Sequence, residues 1–214
     1  MARDEVARAA SPGAISEARD RAEPCVRGWN GVVGPGYDAC VAELTRDQAI
    51  AVLEQGNAML GVLFARLSDA SMERPRTIGG GDWSAKDLMG HVAFWEELAV
   101  DLLAAQRERR PPRVAAIVGP GGVDRANAED QARSATMPLA EVRARAAAAH
   151  RALVDGIAAL DDAAWQATPA HGADRGRSLG RMLGSITGAP DRPFGHAWAH
   201  LADLEAYVAA AADA

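Results

Sequence analysis

Apolar residues recur at helical spacing in four long stretches of this chain, and nowhere do they alternate with the period of two that a half-buried strand requires. The first stretch follows "TRDQ", Thr45 to Gln48. That quartet fits a capping box, in which the threonine hydroxyl accepts a free amide while the glutamine reaches back. Behind it Ile50, Leu53, Leu60, Phe64 and Leu67 share one face, although Gly56 and Gly61 weaken the helix they sit in. The second stretch opens at Ser84, an N-cap with Asp87 three residues on, and its stripe is Leu88, Val92, Trp95, Leu98 and Leu102. It ends before "RRPPR". The third runs from about Pro138 to Leu160, with Leu139, Val142, Ala146, Leu153, Ile157 and Leu160 inward. The fourth starts near Asp191, with Pro193 tolerated in its first turn, and reaches about Ala211. Between the second and third, "VGPGGVDRANAEDQARSATMP" is a long connection with room for a short helix; "LGRMLGSIT" reads as another short helix. The expected fold is all-α: a four-helix bundle with a long connection between helices 2 and 3.

Residues 1–43 do not share this order. "PCVRGWNGVVGPGYDAC" is rich in Gly and Pro and has no sustained period; a short helix is expected before it, around Ile15–Ala22. They read as an irregular extension, or as the product of a start codon placed too far upstream, and 44–213 as the bundle. Cys25 and Cys40 both fall in the extension, so neither a disulfide framework nor a cysteine-based zinc site is supported. No apolar h-region follows the charged start, and no apolar run is long enough to span a bilayer, so a cytoplasmic protein with no membrane partner is expected. The formal net charge of −6 argues against a nucleic-acid partner, because such binders carry a basic face.

The histidines carry the chemistry. His91 lies on the inner stripe of the second helix, three residues after Leu88 and four before Trp95. His196 and His200 share the inner face of the fourth with Leu204 and Tyr207. An i, i+4 pair brings two imidazoles onto adjacent turns, close enough to share one ion, and a third from a facing helix would complete a three-histidine site with coordination positions left open. Five histidines produce some i, i+4 pair by chance on the order of one time in ten, so core histidines bonded to backbone or carboxylate remain the competing reading. His150, on the flank of the third helix, and His171, in a loop, read as surface residues. Asp87 and Asp203 are candidates to accept the outer ring N–H of a ligand histidine, but helix capping for Asp87 and solvation for Asp203 are the favoured readings. Trp95, Trp198 and Tyr207 are candidates to line a pocket, or core aromatics.

"GDWSAKDLMGHVAFWEE" followed much later by "GHAWAHLADL" resembles the DinB-like superfamily, and within it the ClbS/DfsB type, which overlaps with the mycothiol-dependent transferases. Trp83, Ser84, Asp87 and His91 carry the first piece, and His196, His200, Asp203 and Leu204 the second. "PLAEVRARAAAAHRALVDGIAALDDAAW" is similar to the family's third helix. The resemblance spans about residues 44–210, and the extension has no counterpart in it. It implies a bundle with DinB-like topology, in a family whose members are often homodimers, and a divalent metal (Zn, Ni or Fe) held by His91, His196 and His200. It also implies an enzyme whose catalytic group is a metal-bound thiolate or water. The function expected from it is a low-molecular-weight-thiol S-transferase, using a thiol such as mycothiol, or a detoxifying protein acting on a reactive electrophile. The alternatives are a ClbS-like metal-dependent hydrolase and a non-catalytic resistance protein that sequesters its ligand.

Overall fold

The computed structural model describes residues 43–79, 81–117, 119–171 and 176–212. The helical stretch expected around Ile15–Ala22, and both cysteines, lie outside them. The described residues are all-helical, with one isolated bridge between Ala189 and Arg192. The helices are α1 (Arg46–Phe64), α2 (Asp69–Glu73), α3 (Ala85–Glu108), α4 (Gly122–Thr136), α5 (Leu139–Ala158), α6 (Asp162–Gln166), α7 (Leu179–Ile186), α8 (His196–Ala199) and α9 (Leu201–Ala212). None is long and apolar enough to cross a membrane.

The expected capping box forms at α1, and the expected N-cap Ser84 is part of a second at α3. Thr45 accepts from the Gln48 amide while the Gln48 side chain takes the Thr45 N–H, and Ser84 and Asp87 do the same at α3. Helix α3 is central, packed along α5 and crossed by α4. Two large apolar clusters and a small third one, Phe94 and Leu98 of α3 with Ala126 of α4, fill the bundle. One joins Leu60, Phe64, Met72, Leu88, Leu204 and Val208. The other joins Leu53, Leu102, Leu153, Ile157, Leu183 and Phe194. On α3 the fully buried residues of the first cluster end at Leu88 and those of the second begin at Ala99; His91 lies between them, beside Val92 of the first cluster and Phe94 of the third, and His196 and His200 flank Ala197 and Trp198, which pack on the first.

The fourth helix differs from expectation. It begins at His196, not near Asp191, and it breaks at His200 into α8 and α9. Phe194 causes the late start. Its φ of 61° is left-handed, which a helix cannot continue through, and a non-glycine residue is held there only by its surroundings. Those surroundings are a buried slot: the Phe194 ring stacks on Trp165 at 6.0 Å, lies against Gly184, and its N–H donates to the Gly184 carbonyl. Burying a phenylalanine side chain is worth roughly 1.5–3 kcal/mol, comparable to the strain.

The long connection holds a fifteen-residue helix, α4. Its buried positions are Gly122, Ala126, Asp130 and Ser134, a stripe four residues apart that is small or polar. It docks by specific contacts. Ser134 lies over Gly90, where a Cβ would stand 2.4 Å from its Oγ. Arg145 of α5 donates to Ser134, Asp130 and Glu97, and the Lys86 ammonium donates to the Ala135 and Met137 carbonyls.

Gly56, a weakness by propensity, is a packing site: a Cβ there would stand 3.0 Å from Ala197 Cβ and Trp198 Nε1. Gly61 has nothing within 4 Å. Gly56→Val should therefore push α8 off α1 and lower stability by about 1–3 kcal/mol, whereas Gly61→Ala should raise it by about 0.5–1 kcal/mol. Urea denaturation of the two variants checks the opposite signs.

Candidate metal centre

The three histidines of the inner stripes meet. His91 Nε2 stands 3.0 Å from His196 Nε2, which stands 3.3 Å from His200 Nε2. Their ligand atoms all lie within 4.8 Å of one another, a grouping that could hold a metal ion. Three nitrogens bound tetrahedrally at about 2.0–2.1 Å from one zinc ion stand about 3.3 Å apart, so the donor set and its spacing fit such an ion.

Position comes from three elements. α3 presents His91 one turn after its capping box. The loop 187–195 delivers His196, whose backbone N–H donates to the Thr187 carbonyl at 2.9 Å. The His196 ring also hydrogen-bonds the Gly188 backbone, a contact that raises its basicity and so has the ring donating to a carbonyl. With Nε2 engaged at the centre, that bond falls to Nδ1, which leaves the Nε2 lone pair facing inward. The α8–α9 break supplies His200, so the pair reads as i, i+4 in sequence but spans two helices.

Electrostatics keep the rings neutral. His91 and His196 are buried and His200 half-buried. Burial pushes His91 well below the usual imidazole range, with His196 and His200 adding to it. Burial, with His200, lowers His196 to about 3 against the opposing Gly188 bond. Burial also lowers His200, opposed by the Asp203 carboxylate. Two polar atoms beside the centre are buried without a hydrogen-bond partner: His91 Nδ1 and Asp87 Oδ1. Each such atom costs about 1–3 kcal/mol. The other carboxylate oxygen of Asp87 accepts from the Ser84 N–H and hydroxyl at 2.9 and 2.7 Å.

The aromatic residues divide. Trp95 is half-buried, its ring 6.0 Å from His196 and 6.4 Å from His91, and its indole N–H donates to Asn127 of α4. Trp83, singled out only as part of the motif, is nearer, 4.7 Å from His91 and edge-on. Tyr207 belongs to the first apolar cluster, and its hydroxyl donates to the Ser71 carbonyl, tying α9 to α2. Trp198 faces α1, donates to the Val52 carbonyl and lies under Arg192. His150 is not a surface residue: its Nδ1 lies 2.9 Å from Oε1 of buried Glu96, a pair across α3 and α5. His171 is exposed, as expected.

A family model described as the DinB superfamily matches residues 52–188, ending before His196 and His200. No curated protein matches the chain. Among solved structures, a mycothiol-dependent maleylpyruvate isomerase is similar at 16% identity and a TM-score of 0.58, over 75% of this chain and 61% of its own. The chain thus spans about three-fifths of that protein's length. An uncharacterised protein from Escherichia coli UTI89 is similar at 14% identity and a TM-score of 0.62, over 78% of this chain and 94% of its own. The colibactin self-resistance protein ClbS, solved in complex with a dsDNA, is similar at 16% identity and a TM-score of 0.62, over 78% of this chain and 98% of its own. At these identities the likeness is one of fold. The ClbS complex nevertheless corrects the expectation of no nucleic-acid partner. A net charge of −6 is a sum over the whole chain and does not fix the charge of any one face.

The buried neutral rings set a pH dependence. Unfolded imidazoles titrate near 6.5. Above that pH both states are neutral and stability is full; as pH falls below it, the unfolded chain takes protons that the folded site refuses. For His196 the loss continues down to about 3. Metal-free protein should lose about 2 kcal/mol through His196 alone between pH 7 and pH 5. His196→Gln should flatten that slope in urea titrations at the two pH values.

Proposed function

Since the chain belongs to the DinB superfamily, we propose that it is a divalent-metal enzyme whose ion is held by His91, His196 and His200, and that it joins a low-molecular-weight thiol to a reactive electrophilic small molecule. The observation that carries this reading is the convergence of three Nε2 atoms, with the tautomer of His196 set by Gly188. A bound ion would supply Lewis acidity, lowering the pKa of a thiol or water at its open position.

The chain's own groups do the rest. Three neutral imidazoles add no negative charge to offset that of a bound ion. Trp83 and Trp95 flank His91 with apolar ring surface and limit water there. Asp203 favours positive charge at His200, the most open of the three rings. Nitrogen donors alone suit zinc, nickel and iron alike. The thiol-dependent isomerase among the similar folds supports the thiol.

Coverage favours a second reading. The chain matches ClbS over nearly all of that protein but only part of the isomerase. In this reading the site serves resistance, hydrolysing or sequestering a reactive small molecule, free or on duplex DNA. Purified without a metal-binding tag, the parent should carry close to one ion per chain and His200→Ala far less by elemental analysis. Metal-loaded parent should consume a model electrophile only when thiol is added. Consumption without thiol points to the hydrolase; capture unaffected by metal removal, with or without duplex DNA, points to sequestration.

A further inference from the structure

We propose that Asp87 is a positioning residue for His91: its Oδ1 takes the His91 Nδ1–H through one water or after a small turn of either side chain, since neither atom has a partner in this structure, and so keeps the Nε2 lone pair of His91 aimed at the centre before any metal arrives. This rests on the reading of His91 as a ligand. Three observations carry it. Asp87 and His91 are buried and lie one turn apart on α3, where side chains lean toward the helix N-terminus and an i+4 ring lies over residue i. Each has one buried polar atom with no partner, and the two are complementary: a carboxylate oxygen that accepts and a ring nitrogen that donates when protonated. Asp87 is also anchored, because its Oδ2 is held by the Ser84 N–H and hydroxyl. One carboxylate thus closes the capping box with one oxygen and presents the other to the ring.

The centre supplies the need. His196 offers an Nε2 lone pair, since its own proton is spent on Gly188. Left alone, a neutral His91 would place its proton on Nε2 and donate it to His196 across 3.0 Å, which blocks the ligand position. A carboxylate on the Nδ1 side reverses that preference. His196 and His91 then use the same device with different acceptors, a backbone carbonyl and a side-chain carboxylate.

The test needs no activity. Nitrogen-15 NMR of the histidine rings in metal-free parent at pH 7 should show His91 protonated at Nδ1, and Asp87→Asn should move that proton to Nε2. In a zinc titration Asp87→Asn should weaken binding about 10–100-fold. Thr45→Ala is the structural control. It breaks the α1 capping box, which does not touch Asp87, and lowers stability but should leave the His91 tautomer and the zinc affinity nearly unchanged. A parent already protonated at Nε2, or a tautomer unmoved by Asp87→Asn, overturns the role of Asp87. Failure of parent to bind zinc at all, with the tautomer as predicted, would instead count against the ligand reading and leave the hydrogen bond standing.

Discussion

Three imidazole nitrogens 3.0 and 3.3 Å apart inside a protein cannot all carry protons toward one another. They must share a proton in pairs, or face a cation. Burial makes the charged forms still less accessible, and His196 stays neutral down to about pH 3. The bundle is arranged around this layer. One apolar cluster packs beside it through Leu88, Val92 and Leu204, a second includes Phe194 and Ala99, and a third holds Phe94 and Leu98 next to Trp95, so the polar centre is set among apolar packing. A seam of neutral rings would be a poor choice for stability alone, because apolar side chains of similar size would avoid the unpaired His91 Nδ1. A cation between the rings, as proposed above, would offset that cost.

Holding the layer takes local strain and close backbone contact. Phe194 sits at a left-handed φ so that the loop can turn sharply, and its ring is locked against Trp165 and Gly184. The next residues bring His196 under the Thr187 and Gly188 carbonyls, so backbone orients the ring. On the other side α4 fixes Trp95 through Asn127, while its small and polar stripe lies against α3 at Gly90.

The parts legible in the sequence were those where polar and apolar periodicity agree with capping. Thr45–Gln48 and Ser84–Asp87 mark two helix starts, and His91 stands out because a histidine replaces an apolar residue on an otherwise regular stripe. Four features were hidden in whole or in part, for physical reasons. The length of α4 was hidden, though a short helix was expected there, because it has no apolar stripe: it docks by Asp130, Ser134 and Asn127, and hydropathy is silent about such contacts. The break at His200 leaves the His-x-x-x-His spacing unchanged, so a continuous helix was the natural reading of "PFGHAWAHLADLEAY". Tyr207 and Trp83 exchanged importance, because Tyr207 shares the helix face of Leu204 but lies beyond the break, in the first core, whereas Trp83 precedes α3 and reaches His91 from outside its periodicity. His150 escaped because its partner, Glu96, lies on another helix. Gly184 and Gly188 carried a weak signal, glycines closely spaced beside a proline and just ahead of the histidine pair.

The measurement that bears most directly on the histidine layer is X-ray absorption at the metal edge of protein loaded with one equivalent of zinc. Three imidazole nitrogens at about 2.0–2.1 Å, with the remaining position filled by an oxygen or added thiol sulfur, is the result expected of the layer described here. A shell with one imidazole or none, or one dominated by carboxylate oxygens, would contradict it and leave the three rings as core histidines sharing protons.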